Sequence, residues 1–203
     1  LSSGRGLGSM VDNFIGMDGA EFEVSDFNRS LTPIGAKSNR NTFRKSETLA
    51  GIFMTSDSVN QNLDTWGTLA LTVSETNNVT YRTAFSPKGW NANITDMWDD
   101  FSDNGEFTDL TFKEKNNSPR AALSVKLALA PNETKEVQFL LTWHFPNRKD
   151  WFNKGETILG NYYANAYADA WDVAQKTLPL IPTLEAKTLD FVTLLMKSDY
   201  PDL

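Results

Sequence analysis

The sequence contains one histidine, His144, inside Trp143-His144-Phe145-Pro146-Asn147-Arg148. An imidazole can serve as acid, base or ligand near neutral pH, and this one stands where an alternating apolar run gives way to a loop, a common location for binding groups. No serine or aspartate beside it completes a nucleophilic triad by spacing. The favoured reading is a hydrogen-bonded structural histidine at a strand end; the functional reading makes His144, Asn147 and Arg148 candidate polar contacts for a carbohydrate. Six tryptophans and five tyrosines add rings on which a pyranose face can stack. Trp66 and Trp143 fall on strand-like runs and Trp171 on a helical stripe, so these three are expected in the core. Trp90 and Trp98 lie outside such runs and are the stacking candidates.

The acidic stretch Asp96-Met97-Trp98-Asp99-Asp100-Phe101-Ser102-Asp103-Asn104-Gly105-Glu106 raises a calcium site, since hard cations gather carboxylates and carbonyls. Counted from Asp100, however, the twelfth position is Thr111, where an EF-hand needs a bidentate glutamate. A solvated acidic loop anchored by Trp98 and Phe101 is expected instead, with no metal. The absence of cysteine and the single histidine remove thiolate chemistry and the usual transition-metal clusters, and no cofactor is implied. With 26 Asp plus Glu, a pair of carboxyls for glycoside hydrolysis is numerically available, but spacing selects no pair and no catalytic residue is named. Gly4-Arg5-Gly6-Leu7-Gly8 lacks the preceding strand of a phosphate loop and is expected to be a flexible end.

A net charge of −7, from 19 Lys plus Arg against 26 Asp plus Glu, with no basic run, argues against nucleic acid and anionic membranes as partners. No apolar run is long enough to span a bilayer. The 203 residues can bury a substantial core. Over the first 150 the apolar residues alternate: Leu69, Leu71 and Val73 on one run, then Leu123, Val125, Leu127 and Leu129, a Pro131-Asn132-Glu133-Thr134 turn, and Val137, Phe139, Leu141 and Trp143. The last two runs are expected to pair as a β-hairpin. Glu21 to Val24, Ala50 to Met54 and Thr80 to Ala84 are further strand candidates. Many short strands between polar turns predict a mainly β fold, an antiparallel β-sandwich over residues 1–150.

After a boundary near Lys149 to Gly160 the spacing becomes helical. Tyr163, Tyr167, Ala170, Trp171, Ala174 and Leu178 predict a helix over 161–178, and Pro182 opens a second one through Lys197. Residues 151–203 are therefore read as a linker and a short C-terminal helical segment. The second helix is apolar nearly all round, which calls for neighbours on several sides.

Several segments together resemble one family. Thr65-Trp66-Gly67-Thr68-Leu69-Ala70-Leu71, the passage from Leu110 to Arg120 into Ala121-Ala122-Leu123-Ser124-Val125-Lys126-Leu127, Leu129-Ala130-Pro131-Asn132-Glu133-Thr134-Lys135, and Phe139-Leu140-Leu141-Thr142 followed by Trp143 to Arg148 are similar to glycoside hydrolase family 116, the family of bile-acid β-glucosidase, the non-lysosomal glucosylceramidase. Gly160-Asn161-Tyr162-Tyr163 with Asp169-Ala170-Trp171-Asp172-Val173-Ala174 resembles that family's passage from its sandwich into its helical domain, so the resemblance runs over residues 51–203. It implies an N-terminal β-sandwich followed by an (α/α)6 barrel holding a nucleophilic Glu and an acid/base Asp. No residue of this chain matches those two.

The resemblance implies a piece of a β-glucoside-cleaving hydrolase: the later part of the sandwich, with the first 150 residues entering it past its start, and the opening helices. The catalytic pair then lies beyond this chain. Its partners would be the helical barrel of its own polypeptide, a carbohydrate at the rim, and a second copy through residues 182–203. The alternative is a free-standing carbohydrate-binding sandwich module using Trp90 and Trp98.

Overall fold

A computed structural model describes residues 5–16, 22–24, 31–33, 38–86, 92–110, 119–152 and 157–198. The strands are β1 (Arg5–Asp12), β2 (Phe22–Val24), β3 (Leu31–Pro33), β4 (Asn39–Lys45), β5 (Ala50–Ser56), β6 (Thr68–Val73), β7 (Val79–Arg82), β8 (Arg120–Leu127) and β9 (Phe139–His144), and the α-helices are α1 (Ala92–Asn104), α2 (Ala170–Thr177) and α3 (Ile181–Met196). Every pairing is antiparallel. One sheet has the order β1-β8-β7 and the other β4-β5-β6-β9, while β2 and β3 pair with each other.

The two larger sheets face each other across one apolar core. Ile52, Met54, Leu69, Leu71 and Val73 from the four-stranded sheet meet Ala121, Leu123 and Val125 of β8, each from alternate positions of its strand as pleating requires. The rings of Phe43 (β4) and Tyr81 (β7) stack at 4.0 Å, setting those two strands opposite each other. This is the mainly β, antiparallel sandwich that the alternation predicts.

Each outer face carries a helix. On the three-stranded sheet, Met97 of α1 packs with Phe85, Phe107 and Ala122. On the four-stranded sheet, Ala170, Trp171 and Ala174 of α2 cover Leu49, Phe53 and Ala70. Threonines fix the start of α2 in place: Ala170 N–H donates to Thr68 Oγ1 (2.9 Å), and Thr142 Oγ1 donates to the Ala170 carbonyl (2.7 Å). Asp169 is the N-cap, accepting from Asp172 N–H at 2.8 Å.

Four local expectations are corrected. First, β8 and β9 belong to opposite sheets. The turn forms, with Asn132 at φ 64 and Glu133 accepting the Ala130 N–H at 2.7 Å, but the strands end at Leu127 and restart at Phe139. Residues 128–138 therefore arch between sheets. Alternation marks which face a strand buries, not which neighbour it pairs with.

Second, the acidic stretch lies mostly within α1. Met97 and Phe101 at i, i+4 form its buried side, and Gly105, at φ 76 with its N–H on the Phe101 carbonyl (2.8 Å), ends it.

Third, from Arg5 on the glycine-rich start is strand β1. A Cβ at Gly6 would collide with the Gly105 carbonyl, so the missing side chain is what lets the end of α1 lie against the strand.

Fourth, Trp143 is 59 % exposed. It pairs with fully buried Leu69 and points to the same side, but among the described residues β9 is the edge strand of its sheet.

The predicted helix over 161–178 begins later, with a single 3-10 turn at Tyr162–Asn165 before α2. Asn161 and Tyr163 are bound to the backbone of Phe145 and hold that stretch outside a continuous helix. The helix predicted from Pro182 is α3.

Candidate functional site

The strand-end corner is built from β9 and the turn that follows it. Tyr163 hydroxyl donates to the Phe145 carbonyl (2.5 Å) and accepts the Phe145 N–H (2.9 Å), while Asn161 Nδ2 donates to the same carbonyl (2.8 Å). His144 lies beneath this clamp, 5 % exposed, its ring edge-on to Tyr163 at 5.5 Å. Its Nε2 has no hydrogen-bond partner among the described residues. Asn147 Nδ2 donates to the carbonyls of Gln61 (2.6 Å) and Leu63 (2.8 Å), tying the corner to the loop before β6. Arg148 is exposed, and its carbonyl accepts the Leu159 N–H at 2.7 Å. The fold thus gathers His144, Asn147 and Arg148 in one corner, with the histidine inside it and the asparagine amide group engaged by backbone.

Beside the corner, Asp172 reaches back to the Ala168 N–H (3.0 Å) and forward to Lys176 Nζ (2.7 Å). The Lys176 ammonium first, and then the Ala168 N–H, hold its carboxyl below the usual aspartate value.

The second place is α1. Trp98 is 60 % exposed, its ring tilted toward Phe101 at 6.3 Å. It overlooks a groove of about 360 Å³ between α1 and β1, lined by Met10, Ile94, Met97, Phe101 and Phe107. Trp90 lies outside the described residues. On the opposite side of the helix Arg82 is 3 % exposed. Its Nη1 meets Asp96 Oδ2 at 3.0 Å, and its Nη2 and Nε meet Asp100 Oδ2 at 2.9 and 3.2 Å. These two carboxylates are therefore partners of an arginine. Among the described residues no group of three or more His, Asp or Glu is placed to hold a metal ion.

Sequence reasoning missed Arg82, whose signal was a pair of aspartates at i, i+4 with no basic residue on the same helix to answer them. It also missed Trp151, Phe152 and Tyr162, exposed by 85, 87 and 92 %, which stand among polar neighbours with no periodicity to mark them.

Residues 8–183 match the family described as beta-glucosidase 2, glycosyl-hydrolase family 116 N-term. The chain belongs to this family. A comparison with curated proteins finds no match. The family 116 assignment agrees with the resemblance carried by Trp143 to Arg148 and Asp169 to Ala174, and it extends forward into β1. In this family 116 N-terminal domain those two segments are the strand-end corner and the N-terminus of α2, so the residues that carry the resemblance are the ones that seat a helix on the sandwich.

Proposed function

We propose that this chain is the non-catalytic sandwich domain of a hydrolase acting on β-glucosidic bonds, of the β-glucosidase or glucosylceramidase kind, whose catalytic Glu and Asp lie in a helical domain of the same polypeptide. The division runs near residue 150: residues 1–150 brace the helical domain and lend the Trp143 to Arg148 corner to its rim, and residues 151–203 lead into it.

The observation that carries this reading is α3. None of its residues is buried, and Leu184, Leu189, Phe191, Val192, Leu194, Leu195 and Met196 are all exposed. An unsupported helix of 16 residues is marginal in water, and each large apolar side chain gains about 1.5 to 3 kcal/mol on burial. A helix apolar on all sides suits the interior of a helical array. A retaining glycosidase also needs two free carboxyls about 5 Å apart; Asp96 and Asp100 of α1 are instead bound to Arg82.

Hydrogen exchange tests the reading. The amides of residues 181–196 should exchange at nearly unprotected rates in this chain and slow by at least about a hundredfold in a polypeptide that also carries the helical domain. Equal exchange in the two overturns it.

A further inference from the structure

The sequence holds one Asn-Gly pair, Asn104-Gly105, and the fold sets it at the end of α1. Asparagine followed by glycine is the pair most open to attack by the next backbone nitrogen on the side-chain amide, because glycine puts no side chain in the way. Three bonds bear on that attack. The Gly105 N–H, on the nitrogen that would attack, donates to the Phe101 carbonyl at 2.8 Å. Asn104 Oδ1 accepts the Glu106 N–H at 2.8 Å, so a donor already stands at the oxygen where negative charge would gather. The Gly105 carbonyl accepts from Ser124 Oγ at 3.1 Å and lies in the space that a Cβ on Gly6 would need. Asn104 itself is exposed, open to water and hydroxide.

We propose that Asn104-Gly105 is a self-modification site, held unreactive while α1 is seated and converted to an aspartyl or isoaspartyl residue when the last turn of the helix opens. In the reaction the Gly105 nitrogen gives its proton to hydroxide and bonds to Cγ of Asn104. The Cγ–Nδ2 bond breaks, and ammonia leaves with a proton from water. Water then opens the resulting five-membered imide at either carbonyl. Ring closure needs the Asn104–Gly105 peptide turned toward the side chain, whereas Asn104, the last residue of α1, holds it in the helical orientation. The electrophile is set and the nucleophile is withheld.

The seating of α1 is what withholds it. Arg82 holds Asp96 and Asp100 of the helix, Asp100 accepts the Thr108 N–H at 2.8 Å, and the Phe107 N–H donates to Thr80 Oγ1 of β7 at 2.8 Å, so the chain is tied down on both sides of Gly105. Either product works against that seating. Isoaspartate lengthens the backbone by one methylene where Gly105 already lies against Gly6 and Ser124. Aspartate adds a carboxylate to a last turn that holds Asp103 and no basic residue, the sign that a helix C-terminus disfavours. The change is therefore one-way, and its consequence is a loosened α1. The proposal is independent of whether a helical domain follows.

The test is timed incubation of the full chain at mildly alkaline pH, with peptide mapping of the amide-to-acid mass gain at residue 104 and hydrogen exchange of the Gly105 amide on the same samples. Both reactions need the bond to Phe101 broken. Across the parent, Arg82→Met, Ser124→Ala and a urea series below the unfolding midpoint the two rates should therefore rise together, and conversion in the parent should be at least about tenfold slower than in fully unfolding urea. The converted chain, separated by its added charge, should exchange its α1 amides about tenfold faster than the unconverted one. Four outcomes overturn the proposal: no conversion in unfolding urea; equal conversion in the parent and in unfolding urea; conversion that stays constant while Gly105 exchange quickens; or a converted chain whose α1 amides are as protected as before.

Discussion

Replacing Arg82 with methionine should release α1 from the sandwich. The arginine side chain is 4 % exposed, against 35 % for Asp96 and 22 % for Asp100. Removing one partner of a buried ion pair costs about 3 to 5 kcal/mol because the other charge is left unanswered. Here both carboxylates retain some water, and Asp100 keeps its bonds from Thr108 N–H (2.8 Å) and Thr108 Oγ1 (2.9 Å), while methionine replaces much of the aliphatic stem. The expected loss is therefore smaller, about 2 to 3 kcal/mol, or about 5 to 10 °C in Tm for a domain of this size. Denaturant unfolding followed by circular dichroism measures it. Asp96→Asn should cost less in the Arg82→Met background than in the parent, with a coupling of about 0.5 kcal/mol or more. A midpoint unchanged by Arg82→Met, or strictly additive effects of the two substitutions, would refute the clamp.

Trp143→Ala should cost less than about 1 kcal/mol, whereas Leu69→Ala, its fully buried cross-strand partner, should cost about 2 to 5; unfolding midpoints compare them. Asp172 has its pKa held down by Lys176 and the Ala168 N–H, so its contribution is complete above the unfolded value near 3.9 and is lost as pH falls through the lower folded value. Asp172→Asn should accordingly lower stability by up to about 1 kcal/mol at neutral pH, a difference that closes below about pH 4 in a pH series of unfolding curves. Sedimentation should show association of the chain at about 100 micromolar through α3, and none for a version ending at Pro179; two monomers would show that α3 needs no cover.

The layers and most strands were legible because burial of one face imposes period two on a strand, as in Leu69, Leu71 and Val73, and a stripe on a helix, as in Trp171 and Ala174. Which strand neighbours which was not legible. The runs that became β8 and β9 are alike in pattern, and facing each other across a core demands the same residues as pairing edge to edge. Gly6 gave no sign that it makes room for the Gly105 carbonyl, because a close approach is a property of two distant segments. The acidic residues of α1 drew attention as a metal site, while the cation that answers them, Arg82, stands alone in a short strand. At the corner, the types at His144, Asn147 and Arg148 were readable as polar groups. That Tyr163 and Asn161 would close over the histidine depends on the return of the chain after residue 160.

The most direct measurement is hydrolysis of an aryl β-glucoside by the purified 203-residue chain, set against the same chain extended by the proposed helical domain. A non-catalytic sandwich domain leaves the shorter chain at the buffer background while the longer one turns over at about 1 per second or faster. Comparable turnover by the shorter chain would place the reacting carboxyls within these residues and contradict the assignment.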